Sequence, residues 1–168
     1  MTEDDLSLKD DLSLLEVTRL IAAENARRQN AAGFQQDVSE AAQKLDSIFD
    51  TDKTLAVYGT LAPGRQNYHI VEPLGGDWTD GFIEGDLQQT GWGATLGYPA
   101  FRPRVGGPTL KIRILKSPLL PAGWKNVDEF EGPEYMRILV PVFHIEDADV
   151  AAEMRRLYTV ANLYAAKD

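Results

Sequence analysis

Leu110-Lys111-Ile112-Arg113-Ile114-Leu115 sets apolar against basic residues in near alternation. A period of two places successive side chains on opposite faces of an extended chain, so this stretch reads as a half-buried strand. Similar stretches lie on either side. Thr54–Tyr58 reads as a buried strand that stops at Gly59, and Trp78–Gln88 carries strand-forming residues punctuated by Gly81 and Gly85. Arg137–Ile145 is another strand, in which Pro141 marks an edge or a bulge because it has no N–H for the ladder. Arg155–Ala161 is a last one. Short strands joined by Gly/Pro turns, with few helices among them, predict an α+β chain built as a small mixed β-barrel with flanking helices.

The composition changes sharply near Asp50–Lys53. Before that point there is no proline and one glycine, Gly33; after it lie all nine prolines and the other thirteen glycines. Ser13 followed by Glu16 fits a capping box, and Leu14, Val17, Leu20 and Ile21 continue it as a helical apolar stripe. Arg27 and Arg28 stand near its end, where positive charge suits the helix dipole. Gly33 breaks or kinks the run. Phe34, Val38, Ala41, Leu45 and Ile48 form a second stripe at helical spacing. Residues 1–50 thus read as a helical N-terminal extension to a domain spanning 54–165. Two amphipathic helices without a core of their own must pack on that domain, pair with a second copy as a homo-oligomer, or serve as a docking module.

The totals narrow the functional classes. A chain of 168 residues has room for one domain and an appendage. The absence of cysteine rules out disulfides, thiolate metal sites and a cysteine nucleophile, and two histidines, His69 and His144, make a poor start for a multi-histidine metal centre. A net charge of −9 argues against nucleic acid or an anionic membrane as the main partner. Met1–Asp11 is acidic and lacks the basic start and apolar stretch of a secretory signal, so a cytoplasmic protein acting on a small molecule is expected.

Three segments bear residues suited to chemistry. Val57-Tyr58-Gly59-Thr60-Leu61-Ala62-Pro63-Gly64 takes a strand through glycine into a short loop. Such a loop is either a plain turn or a set of free backbone N–H groups that can cradle a carboxylate or an oxyanion. Asn126-Val127-Asp128-Glu129-Phe130-Glu131-Gly132-Pro133 reads as a short helix capped by Asn126 and ended by Gly132 and Pro133. Glu131 is its misfit, because a carboxylate in the last turn faces the negative end of the dipole at a cost of roughly 0.3–1 kcal/mol. That is either a tolerated surface residue or a sign of function. Gly97-Tyr98-Pro99-Ala100-Phe101 is a turn that places two aromatic rings, or one wall of a pocket.

Taken in order, Tyr58-Gly59-Thr60-Leu61, Gly97-Tyr98-Pro99 and Asp128-x-x-Glu131-Gly132-x-x-Tyr135-x-Arg137 resemble the γ-glutamylcyclotransferase-like family, which includes the γ-glutamylamine cyclotransferases and the AIG2-like proteins. The resemblance covers about residues 54–165 and implies a small barrel with a cavity at one end. It implies Glu131 as the acid/base, and Tyr58, Gly59, Thr60 and Leu61 as the substrate loop, with Tyr98, Tyr135 and Arg137 also contacting substrate. Neither a metal nor an organic cofactor is implied. The chain departs from the family where Ile112 and Leu115 stand in the places of a usual glycine and tyrosine, and where Val127 replaces a leucine. The pocket is therefore expected to differ, and a non-catalytic binding module of the same fold is the alternative.

Overall fold

The structure is a computed structural model and describes residues 12–30, 39–88 and 100–167. Six strands form one sheet: β1 (Thr54–Val57), β2 (Asp77–Gln88), β3 (Ala100–Pro103), β4 (Thr109–Lys116), β5 (Tyr135–His144) and β6 (Leu157–Ala166). Their order is β3-β2-β4-β1-β6-β5, and a further pairing of β2 with β5 closes five of them into a barrel, with β3 as an extra strand on β2. Only β1 and β6 run parallel among these pairs.

The alternation in β4 does what its period requires. Ile112 and Ile114 point into the barrel among Ala56, Ile83, Val140 and Leu163, while Lys111 is exposed. Leu115 faces the other way, with Leu55 and Val57, beneath the helix α3 (Leu120–Glu131). Strand β1 is buried on both faces for this reason, with Ala56 inside and its neighbours under the helix. The barrel closes where Gly81 pairs with His144 and Phe82 with Phe143. A Cβ on Gly81 would stand 2.7 Å from Val142 Cγ1 and 3.1 Å from the Phe143 carbonyl oxygen, so the closing strands meet only because this residue has no side chain.

Two sequence expectations need correction. The last strand is not confined to 155–161 but runs to Ala166, because Leu163 and Ala165 continue the inward face while Asn162 is buried outside it and bonded to the Thr51 carbonyl. Helix α3 begins at Leu120, so Asn126 is interior and caps nothing. Pro121 and Gly123 resemble breakers, yet a proline in the first turn forfeits no helical hydrogen bond, and Gly123 sits where a Cβ would meet Leu74 at 2.9 Å. The far end is as expected: Gly132, at φ 83°, stops the helix just after Glu131.

Helices α1 (Leu14–Asn30) and α2 (Glu40–Phe49) lie against the barrel wall. The Ser13 hydroxyl accepts from the Glu16 N–H at 3.1 Å, as the capping box requires. Val17 and Ile21 meet Leu45, Ile48 and Phe49 of α2 over Leu139 and Val160 of the barrel. Ser39 caps α2, and Gly33, Phe34 and Val38 lie outside the described residues. Beyond its apolar turns α1 runs along the stretch of β5 that lies before its pairing with β2. Asn25 donates to the Leu139 carbonyl at 2.9 Å and accepts from its N–H at 2.8 Å, standing in for a missing strand. Pro141, two residues on, has no N–H to satisfy there, in keeping with the edge or bulge expected of it, and the register with β6 shifts between Val142 and Phe143.

Candidate active site

Helix α3 delivers Glu131 to one end of the barrel, where β1 leaves as the Tyr58–Leu61 loop and β5 begins at Tyr135. The Tyr58 ring packs on the interior cluster and on Phe101, at 5.8 Å between centroids. Its hydroxyl donates to the Tyr164 carbonyl at 2.8 Å and accepts from the Phe101 N–H at 3.2 Å. Burial pushes this phenol well above its ordinary range; the Phe101 bond opposes the rise, and the nearby Glu131 and Tyr135 add to it. Tyr58 is thus an anchor for three strands as well as a wall of the site.

The loop after it is held by its far side. Asn67 donates its backbone N–H to the Thr60 carbonyl at 2.9 Å and its side-chain amide to Thr60 Oγ1 at 2.8 Å, while Leu61 is buried. No described residue accepts a hydrogen bond from the N–H groups of Gly59, Thr60 or Leu61. Gly59 has no positive φ, and a Cβ built on it meets no described atom within 4 Å. Neither conformation nor packing calls for glycine at this position.

Glu131 is half-buried, and no described residue hydrogen-bonds its carboxylate. Burial, and then the charge of Asp128 one turn earlier, push its pKa up to about 7 from an ordinary 4.5. Asp128, by contrast, is fully engaged. It accepts from Tyr164 Oη at 2.5 Å and from Arg137 Nε at 3.1 Å, and the Arg137 guanidinium lies over the Trp124 ring at 4.2 Å. Burial, again ahead of the bond to Asp128, raises the Tyr164 phenol far out of its usual range.

Of the residues that the sequence suggested, Glu131, Tyr58, Gly59, Thr60, Leu61 and Tyr135 gather about this barrel end. Arg137 is close by, but its guanidinium faces Asp128 and Trp124. Tyr98 lies outside the described residues. Tyr164 and Trp124 were not foreseen. Strand alternation could have flagged Tyr164, which a β6 ending at Ala161 excluded.

On the other side of the Asp128–Arg137 pair, a cleft of about 820 Å³ opens between α1–α2 and the barrel, lined by residues including Arg28, Gln43, Asp128, Tyr135, Arg137 and Lys167. Neither Glu131 nor the Tyr58–Leu61 loop lines it. Its inner end holds a second polar cluster, equally unforeseen. Glu24, 1% exposed, accepts from Arg27 and from Arg28 at 2.7–2.9 Å and from Ser39 at 2.9 Å. Burial alone would raise this carboxylate, but the three donors outweigh it and hold the pKa at about 2. Arg28 continues to Asn162 Oδ1 at 2.8 Å and to the Arg137 carbonyl at 3.2 Å. No family model matches the chain, and no curated protein matches it. None of the described helices is long and apolar enough to cross a membrane.

Proposed function

We propose that the protein is a γ-glutamylcyclotransferase, acting on a γ-glutamyl amine, amino acid or peptide. The observation that carries the reading is a half-buried Glu131 of raised proton affinity, without a hydrogen-bond partner among the described residues, set at the same barrel end as three backbone N–H groups that no described residue engages. In the reaction the substrate's α-amino nitrogen attacks its own γ-carbonyl carbon. A ring C–N bond forms, the γ C–N bond to the leaving amine breaks, and 5-oxoproline is released. Glu131 takes the proton shed by the attacking nitrogen and returns it to the departing one.

Energetics favour this assignment over an ordinary carboxylate. An α-ammonium group titrates near 8 and a free glutamate near 4.3, a gap of about 5 kcal/mol against proton transfer. With Glu131 at about 7 the gap shrinks to on the order of 1 kcal/mol. The Gly59–Leu61 N–H groups would receive the oxyanion, where one such donor is worth about 3–4 kcal/mol. Ring closure is intramolecular, so folding the substrate against the loop removes most of the entropy cost. No cofactor enters these steps.

The test is release of 5-oxoproline from a panel of γ-glutamyl amino acids, γ-glutamyl-ε-lysine and glutathione, with Glu131→Gln alongside. Turnover is expected for at least one member and a loss of at least about 100-fold in the variant. A folded Glu131→Gln protein with full activity would falsify the assignment. The second reading, a ligand-binding module without turnover, draws its support from the cleft walled by α1 and α2. It predicts an inert wild type. Cytoplasmic residence and pairing of two copies through α1 and α2 belong to the proposal as well, the latter checked by mass in solution.

A further inference from the structure

Asp128 and Glu131 stand three residues apart in the last turn of α3, so their carboxylates share a face and a sign. The two are treated differently. Asp128 is clamped by Tyr164 Oη, by Arg137 Nε and, at 3.4 Å, by Arg137 Nη2. Its clamp is itself held. Arg137 stacks on Trp124, whose indole N–H is fixed to Asp52, and the Arg137 carbonyl accepts from Arg28. Glu131 is left without a donor among the described residues.

We propose that Asp128 is a positioning residue for Glu131: its carboxylate, locked in place by Arg137 and Tyr164, is the fixed negative charge against which Glu131 keeps a proton. This rests on the reading of Glu131 as the proton carrier. A mobile aspartate would turn to water and its field would be screened; the two-sided clamp prevents that. Burial raises Glu131 first, and among the described groups facing it Asp128 is the charge that adds to that rise. Tyr58 from the end of β1 and Tyr164 from β6 are phenols driven towards the neutral form, and Tyr135 opens β5. Arg137, also from β5, spends its charge on Asp128, while Glu129 and Glu134 are exposed. The motif Asp-x-x-Glu-Gly is then a base with its tuning charge one turn earlier.

The experiment is a ¹³C-glutamate NMR titration of Glu131, assigned by its loss in Glu131→Gln, on wild type, Asp128→Asn, Asp128→Glu and Tyr164→Phe. The midpoint is expected to fall by about 1 pH unit in Asp128→Asn, to recover in Asp128→Glu, and to fall by less in Tyr164→Phe, where one side of the clamp is gone and no charge has changed. The acid limb of 5-oxoproline release should move with it. A merely structural Asp128 would lower the melting temperature and leave the midpoint in place, which overturns the proposal. Should Asp128→Asn not fold, a midpoint that stays or rises in Tyr164→Phe overturns it equally. Midpoints that move as stated in a wild type without cyclotransferase turnover would uphold the coupling and sink the functional reading instead.

Discussion

The carboxylate proposed as the proton carrier has a raised pKa, and this has a cost in stability whose sign can be worked out. Glu131 titrates at about 7 when folded and near 4.5 when unfolded. Between those values the native state binds more protons than the unfolded one, so stability is full below about pH 4.5 and falls as pH rises to about 7. The loss reaches on the order of 2–3 kcal/mol and does not grow further above that window. Glutamine is neutral throughout. Glu131→Gln is therefore expected to match the wild type in thermal stability at pH 4 and to exceed it at pH 8. Equal melting temperatures at pH 8 would mean that the carboxylate is solvated, and the case for a poised base would go with it. Part of this was legible from residues alone: a glutamate at the wrong end of a helix, next to Gly132, is an anomaly visible in the sequence. Its surroundings were not, since Tyr58 and Tyr164 come near it from strands distant along the chain.

At the scale of elements, α1 shows where periodicity informs and where it misleads. Val17 and Ile21 continue at helical spacing through Glu24 to Arg28, all on the inward face. The stripe changes from apolar to charged without changing direction, and a reading that tracks only apolar residues loses it halfway. Arg28 was assigned to the helix dipole, a role any basic residue in the last turn fills, whereas it reaches Asn162 across the barrel wall. The strands were read with better success because β4 and β1 obey burial alone. The charged half of α1 also sets its acid sensitivity. Glu24 is held at about 2 against an ordinary 4.5, so its contribution is present above pH 4.5 and lost as pH falls towards 2. That amounts to about 3 kcal/mol. Amide exchange at pH 3 should show α1 and α2 opening before the barrel strands, and Glu24→Gln should show the same early opening at pH 7. Uniform exchange in both would mean that the apolar contacts at Val17 and Ile21 suffice.

Across the whole molecule, two glycines separate what closes the barrel from what the barrel end is for. Gly81 lies at the seam where β2 meets β5, and a methyl group there runs into Val142 and the Phe143 backbone. Gly59 lies at the site, and a methyl group there meets no described atom. Packing predicts opposite outcomes for the same substitution. Gly81→Ala should cost about 1–3 kcal/mol in urea unfolding, because a backbone atom cannot step aside as a flexible side chain can. Gly59→Ala should leave stability within about 1 kcal/mol of wild type, or raise it slightly, since alanine restricts the unfolded chain and no positive φ is needed. If the space beside Gly59 is kept for a γ-glutamyl group, the same methyl should raise KM for 5-oxoproline release by about 10-fold or more, as an extra methylene does in a filled pocket. Full activity in Gly59→Ala would show that substrate does not lie on this loop, and would move the search for it to the cleft beside α1. Stability lost at Gly81 with the Glu131 titration unmoved would show, in turn, that the seam and the site are built on independent parts of one barrel.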